Sequence, residues 1–326
     1  MSSGLYLSTY LAPLAPWLSR DDVTDLLVNQ PGEVWVEDTQ GGFRCEPAED
    51  LTEAALLRLA RQIAAHAHQG VSREHPLLSA SLPDGARVQI VTPPATRRGV
   101  VMAIRKHVLS DLSLSELDGR GLFSLAATPP SLASADEKLM ALQTAGLWRE
   151  FLQTAVVSRK TIVISGGAGA GKTTLLNALV KEVPPSERLI VVEDAPEILL
   201  ARANSVGLVA VRGEQGEARI GQDDLLRAAL RMRPDRVLLG ELRGPEALGF
   251  LQAASSGHPG SISTVHADSP EKALDQIALL ALTSGLDLGW SQLQTLVRSV
   301  VDIVVQIERR AGKRQMSQVW MRPSVL

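Results

Sequence analysis

The chain has little of several things. It holds one cysteine, Cys45, so no internal disulfide can form, and a reducing compartment fits. Aromatic residues are only 3% of the total, so an interior drawn from the 45% hydrophobic fraction must be built from Leu, Val, Ile and Ala. No uninterrupted apolar run approaches the ~20 residues that a membrane span needs. There is no basic excess either: 33 Lys and Arg stand against 36 Asp and Glu, a net charge of −3. That argues against broad electrostatic attachment to nucleic acid, which needs a clustered basic surface, while leaving room for a local basic groove. The uncharged stretch Leu5 to Leu18, LYLSTYLAPLAPWL, has no Lys or Arg ahead of it and no small-residue cleavage site, and RDD follows, so a signal peptide is not expected. It reads either as an edge of the first domain or as a segment docking on a membrane surface or partner.

What is present points to two domains, since 326 residues is about twice a typical domain of about 150. Residues 19–107 read as a mixed α/β module. DVTDLLVNQPGEVWVEDTQGGFRCE holds two β-like runs about a Gln30-Pro31-Gly32 turn. Leu51 to Ala67 carries Leu56, Leu59, Ala60 and Ile63 on one helical face, and ARVQIVTPP and GVVMAIRKH are further β-like runs. Residues 119–136, GRGLFSLAATPPSLASAD, are rich in Gly, Pro, Ser and Ala and are expected to be the linker, leaving an N-terminal α+β domain at 1–118 and a C-terminal domain at 137–326. Glu137 to Val157 predicts one helix. From Lys160 onward, near-continuous apolar strands alternate with helices, which indicates an α/β domain with a parallel sheet covered on both faces. VDIVVQIERRAGKRQMSQVW predicts a hairpin turning at Ala311-Gly312.

The most informative stretch is SGGAGAGKTT. It follows the apolar strand TIVIS and opens the helix TTLLNALVKEV, and Gly166, Gly171, Lys172 and Thr173 meet the pattern G-x4-G-K-[ST]. Backbone N–H groups of Gly166, Gly167, Ala168, Gly169, Ala170, Gly171, Lys172, Thr173 and Thr174 can surround phosphates, and the helix N-terminus adds about half a positive charge. Lys172 can neutralise the β and γ oxygens, and the Thr173 hydroxyl can ligate magnesium.

Many nucleotide hydrolases place Asp at the end of a second strand to hold that magnesium. This chain lacks it: RVLLGELRG has Gly240 there, followed by Glu241. Acids do stand at two strand ends, Glu193, Asp194 and Glu197 in IVVEDAPEI and Glu241 in LLGE. In an open α/β sheet, ligands sit at the carboxyl ends of the strands. One carboxylate there can orient a water and accept its proton, and another can hold magnesium directly or through water. The alternative for Glu193 and Asp194 is a cap on the next helix, and for Glu241 a salt bridge to Arg243 or another Arg.

Four blocks occur in one order: GGAGAGKTT, RLIVVEDAPEI, LRMRPDRVLLGELRGPEA and SGHPGSISTVHADSP. This set resembles the secretion-ATPase superfamily of type IV secretion traffic ATPases, type II secretion ATPases and pilus motors, where the blocks are called Walker A, Asp box, Walker B and His box. That superfamily's Walker B commonly has Gly-Glu. STYLAPLAPWL, VNQPGEVWVE, LPDGARVQIVTPPA and MAIRK are similar to the traffic ATPases of type IV secretion and conjugal DNA transfer, so the resemblance spans nearly the whole chain. Ala168 and Ala170 stand where relatives often carry Thr and Ser, which backbone binding tolerates, and Ser256 where Thr is common.

The resemblance implies a RecA-like P-loop NTPase C-terminal domain, a smaller α+β N-terminal domain and a homohexameric ring. It implies ATP and Mg²⁺ as cofactors, Glu241 and Glu193 as catalytic acids beside Lys172, and Thr173 and Glu193 at the metal, the latter through water. It places nucleotide between the domains, with Arg87 and Arg105 reaching the phosphates and Arg97 and Arg98 as weaker candidates. One or both of His258 and His266 would sense the phosphate end or the subunit boundary; they flank SISTV, so only one need touch nucleotide. Partners would be inner-membrane type IV secretion components and a transported protein or DNA–protein substrate, without sequence-specific nucleic-acid binding, on the cytoplasmic face of the bacterial inner membrane. Two other readings are a type II or pilus-retraction ATPase, and a nucleotide-dependent scaffold or nucleic-acid binder with little turnover.

Overall fold

The chain begins with a run of short helices because LYLSTYLAPLAPWL is too broken by proline for one long helix. They are Ser3–Leu11 (α1), a 3₁₀ turn at Ala12–Leu14 and Ala15–Leu18 (α2). This computed structural model describes residues 3–106, 113–119, 123, 132–211, 216–285 and 287–323. Leu7, Leu14 and Trp17 are buried in the first core, so the uncharged stretch is an edge of that core. The Trp17 indole donates to Glu46 at 2.7 Å.

The first sheet uses Val23–Val28 (β1), Gly32–Asp38 (β2), Phe43–Ala48 (β3), Leu77–Ser81 (β4), Arg87–Val91 (β5) and Val101–Arg105 (β6), with helix Glu53–His66 (α3) after β3. Its order is β3-β2-β1-β6-β5-β4, antiparallel throughout. Helix α3 starts where Thr52 accepts a hydrogen bond from the Ala55 N–H at 3.2 Å, and it buries Leu56, Leu59, Ala60 and Ile63. Period-two alternation splits the sheet's side chains. Leu26, Val28, Ile90, Met102 and Ile104 join the core under α3. Leu27, Val91, Val101 and Ala103 point to the opposite face and pack with residues of the second sheet.

Past Leu114–Gly119 (α4), the expected linker at 119–136 lies mostly outside the described residues, and 132–136 already belong to helix Leu132–Thr144 (α5). The single helix expected to Val157 is two, because Gly146 takes φ +70 and starts Trp148–Val157 (α6) afresh.

The remaining elements are Ile162–Ser165 (β7), Lys172–Glu182 (α7), Leu189–Glu193 (β8), Ser205–Val209 (β9), Gln222–Ala229 (α8), Arg236–Leu239 (β10), Glu246–Ser255 (α9), Ile262–Val265 (β11), Pro270–Leu282 (α10), Trp290–Val300 (α11), Ile303–Arg310 (β12) and Lys313–Met321 (β13). The second sheet has the order β13-β12-β7-β11-β10-β8-β9. It is parallel from β12 to β9, and only the β12/β13 hairpin is antiparallel. The hairpin turns at Ala311-Gly312 with φ +48 and +80, the left-handed pair that a two-residue hairpin turn requires. Strands β7, β8 and β10 are buried along their whole length, as a sheet covered on both faces demands.

The two sheets are joined by backbone and side chains. Residues 95–97 lie along β9: the Val209 N–H donates to Ala95 at 3.0 Å and the Arg97 N–H to Gly207 at 3.1 Å. Buried Arg188 donates to both Asn29 and Asn204 at 2.6 Å, and Arg233 donates to Glu37 at 2.7 Å. Among the described residues, no helix is long and apolar enough to cross a membrane.

Candidate functional site

The parallel strands end together, so the segments that follow β7, β8, β10 and β11 enclose one cavity of about 450 Å³. Its lining includes the loop from Gly167 to Thr174, the acids Glu193, Asp194, Glu197 and Glu241, and Gln222, Arg243, His266 and Arg314. The expected phosphate loop, strand-end acids and one of the two histidines are thus brought together.

Gly166 lies under the β12 backbone, where any side chain would run into the Ile307 carbonyl. Gly169 and Gly171 take φ +70 and +101, which favour glycine, and α7 starts at Lys172. The Lys172 ammonium donates to the carbonyls of Gly166 and Gly167 at 3.0 and 3.3 Å. It lies 3.4 Å from Glu241 and 3.3 Å from a ring nitrogen of His266. Burial lowers its pKa, and the neighbouring Glu241 carboxylate pulls the other way.

Glu241 is the hub of the cavity. His266 Nε2 stands 2.8 Å from its Oε1, and Arg243 Nε donates to its Oε2 at 2.5 Å. The carboxylate thus lines the cavity and is also paired with Arg243. The turn behind it is fixed by Glu246, which accepts the N–H groups of Arg243 and Gly244 at 2.7 Å. Thr264 donates to the Gly240 carbonyl at 2.9 Å. At Gly240 a Cβ would lie 3.0 Å from Glu193 Cγ, a tight approach that a side chain there would have to relieve by shifting Glu193.

Glu193 differs from expectation. Its Oε1 accepts the N–H groups of Glu197 and Ile198 at 3.0 and 2.8 Å, and its Oε2 pairs with Arg97, which arrives from the first sheet. Among the described residues, no helix lies between β8 and β9 for Glu193 to cap, and it holds the turn between those strands instead. Arg97 also donates to the Ile198 carbonyl at 2.7 Å, and its stem fits because position 207 is glycine: a Cβ there would lie 2.5 Å from Arg97 Cδ. Burial lowers the Arg97 pKa, and neighbouring Arg98 adds to this. The acid that meets the Thr173 hydroxyl is Glu197, at 2.9 Å.

Three expected residues lie elsewhere. Arg87 and Arg105 face each other across β5 and β6 and line a separate cavity with Gln69, Ser79, Gln89 and Arg231; Arg105 also donates to Asp25 at 2.9 Å. Within one chain they do not line the phosphate-loop cavity, because the first sheet presents its 95–97 segment to β9 instead. His258 sits before β11, at the end opposite His266, where burial lowers its pKa and its carbonyl accepts from Ser261 at 2.8 Å. It does not line the cavity either. Arg97, a weaker candidate for the phosphates, pairs with Glu193 instead; Glu246 and Arg314 carried no signal in the sequence.

Magnesium can be tested against these donors. Among the described residues, no group of three or more His, Cys, Asp or Glu side chains forms a metal cage. What the cavity offers is the Thr173 hydroxyl hydrogen-bonded to a carboxylate, with a buried Gln222 Oε1 that lacks a hydrogen-bond partner. Hard oxygen donors in this number fit magnesium that keeps waters and shares phosphate oxygens.

The chain matches the family described as "Type II/IV secretion system protein" over residues 8–319. It is 44% identical over 321 residues to the type IV secretion system protein PtlH of Bordetella pertussis, covering 96% of this chain and 94% of that one. To the type IV secretion system protein VirB11 of Brucella suis it is 38% identical, covering 97% and 90%. The crystal structure of the VirB11 ATPase from the Brucella suis type IV secretion system in complex with sulphate superposes with a TM-score of 0.89 at 37% identity, covering 97% of each chain. With its phosphate loop and strand-end glutamate in one cavity, and these matches along nearly its whole length, the chain belongs to the type II/IV secretion system protein family and is, within it, a RecA-like ATPase of the type IV secretion branch.

Proposed function

We propose that this ATPase works as a homohexameric ring that couples Mg-ATP hydrolysis to transport through a type IV secretion system. The observation that carries the chemistry is Glu241, held at the end of β10 against Lys172 and His266 and facing the cavity. Before nucleotide binds, Lys172 faces Glu241 and two loop carbonyls. Phosphate oxygens compete for the ammonium, and as Lys172 turns to them the Glu241 carboxylate is freed to orient a water and accept its proton. His266 and Arg243 keep that carboxylate in place. Thr173 would hold magnesium, with Glu197, which accepts from its hydroxyl, placed to do so through water; the ion would supply positive charge against the phosphates there.

Glu193 acts by position. With Arg97 it fixes the turn that carries Glu197, so the first sheet is tied to the metal side of the cavity. Arg87 and Arg105 would meet phosphates of a neighbouring copy in the ring, which their separate cavity supports. The two sheets would then move as domains, 1–118 and 137–326, about the intervening segment. Inner-membrane components of the secretion system, a protein or DNA–protein cargo and a place on the cytoplasmic face of the membrane complete the reading.

Light scattering with and without a Mg-ATP analogue tests the ring. A mass near six copies is expected; a persistent monomer with full turnover would overturn it.

A further inference from the structure

The ATPase reading leaves the C-terminal hairpin without a task, yet the hairpin overhangs the phosphate loop. β12 pairs with β7 only as far as Gln306 opposite Ser165, where β7 turns into the loop. It then runs on, paired with β13, to Arg310 opposite Lys313. The loop lies beneath this overhang: a Cβ on Gly166 would be 3.2 Å from Ile307 Cγ1. From β13, Arg314 comes down on the last loop glycine, so that its Cδ would be 2.9 Å and its Nε 3.5 Å from a Cβ on Gly171. Arg314 lines the cavity, whereas Arg309, directly opposite it in the hairpin, does not. An arginine that merely guards a sheet edge has no need to lay its stem on the loop.

The charges in the cavity single it out. Lys172 faces Glu241, Arg243 pairs with Glu241 and Asp194, and His266 meets Glu241. Arg314 has no acid partner among the described residues. A guanidinium presents five donors and no acceptor, and its natural complement is an anionic oxygen. The strand order also fixes its side of approach. β12 and β13 lie on one side of β7, and β11 and β10, which ends at Glu241, lie on the other. Arg314 and Glu241 therefore flank the loop from opposite sides.

Building on the ATP-site reading, we infer that Arg314 is a polyphosphate ligand of the chain's own cavity, acting in nucleotide binding rather than in activating the water. The test compares wild type, Arg314→Ala, Arg314→Lys and Lys172→Ala. It measures direct binding of ADP and ATP, competition by inorganic tripolyphosphate, and steady-state hydrolysis. Arg314→Ala is expected to weaken all three ligands about tenfold, the scale of a charge-assisted hydrogen bond. Arg314→Lys should recover part of the loss. KM should rise while kcat at saturation stays near wild type, the pattern of binding shared by ground and transition states. The exposed side chain leaves the ligand-free melting temperature unchanged. Unaltered affinities in Arg314→Ala, with binding lost in Lys172→Ala, would overturn the assignment and leave the ATP site standing. Weaker ADP binding with tripolyphosphate competition unchanged would also overturn it, because the contact would then be to base or ribose. A wild-type chain that binds neither nucleotide nor tripolyphosphate would overturn the ATP-site reading and this inference together.

Discussion

The two arginine-bearing cavities are built on opposite electrostatic plans. In the phosphate-loop cavity, cations meet acids among the described residues, with the exception of Arg314: Lys172, Arg243 and His266 all meet Glu241, and Arg97 meets Glu193. In the cavity of the first sheet, Arg87, Arg105 and Arg231 share a lining that contains no acid, and only Asp25, from beside it, pairs with Arg105. A balanced cavity can stay closed-shell without ligand and must exchange partners when phosphate enters, which makes its pairs a switch. A cavity biased toward positive charge has its complement outside its own lining. On the proposed reading, the first plan serves a site that performs chemistry within the chain and the second a site that receives an anion presented to it.

The largest expected effect falls on the balanced cavity. Lys172→Ala removes the cation that phosphates must capture, and ATP turnover should fall about 10³-fold, the loss typical of a missing charge-stabilising donor; a phosphate-release assay measures it, and a small drop would show that Lys172 is a structural cap. Next is the link between the sheets. Arg97→Ala leaves the Glu193 carboxylate buried without its cation and should cost about 3 kcal/mol in chemical denaturation, as when one partner of a buried pair is removed. The Arg97→Ala/Glu193→Gln double variant should lose less than the sum of the single losses, because the two residues act as a pair; strict additivity would deny the link.

The positively biased cavity should behave differently. Arg105→Ala should leave nucleotide affinity of the dilute chain unchanged yet lower turnover of the assembled form about 10²-fold, if its guanidinium serves a neighbouring copy's phosphates. Equal loss at all protein concentrations would contradict that division. The smallest effect lies away from both cavities. Thr52→Ala removes the cap of α3 and should cost about 1 kcal/mol of stability without altering turnover.

The phosphate loop was legible in the sequence because all its determinants are local: strand, glycines, Lys172, Thr173 and helix lie within a few residues of one another. So were most strands of the second sheet, whose apolar runs are unbroken because both faces are covered. The partnerships were not legible. Nothing near Glu193 in sequence announces that Arg97, nearly a hundred positions away, will occupy it, and the distinction between Glu193 and Glu197 as the acid beside Thr173 depends on that contact. Arg87 and Arg105 were correctly placed on adjacent strands, but strand pattern does not say which face of the second sheet those strands will meet. The His258 and His266 spacing did predict opposite ends of β11. The helix break at Gly146 was missed because a lone glycine within a helical pattern is compatible with a continuous helix; here it takes φ +70 where the Leu147 N–H turns back to the Leu142 carbonyl and closes α5.

Glu241 is proposed to receive the proton of the attacking water, so the most direct measurement is Glu241→Gln, with ATP affinity and steady-state hydrolysis determined on the same preparation. The substitution keeps the size of the side chain and most of its contacts while removing the base. Retained ATP binding with turnover lowered about 10²–10⁴-fold is predicted. Retained binding with wild-type turnover would contradict the account and leave Glu241 as no more than a partner for Lys172 and Arg243.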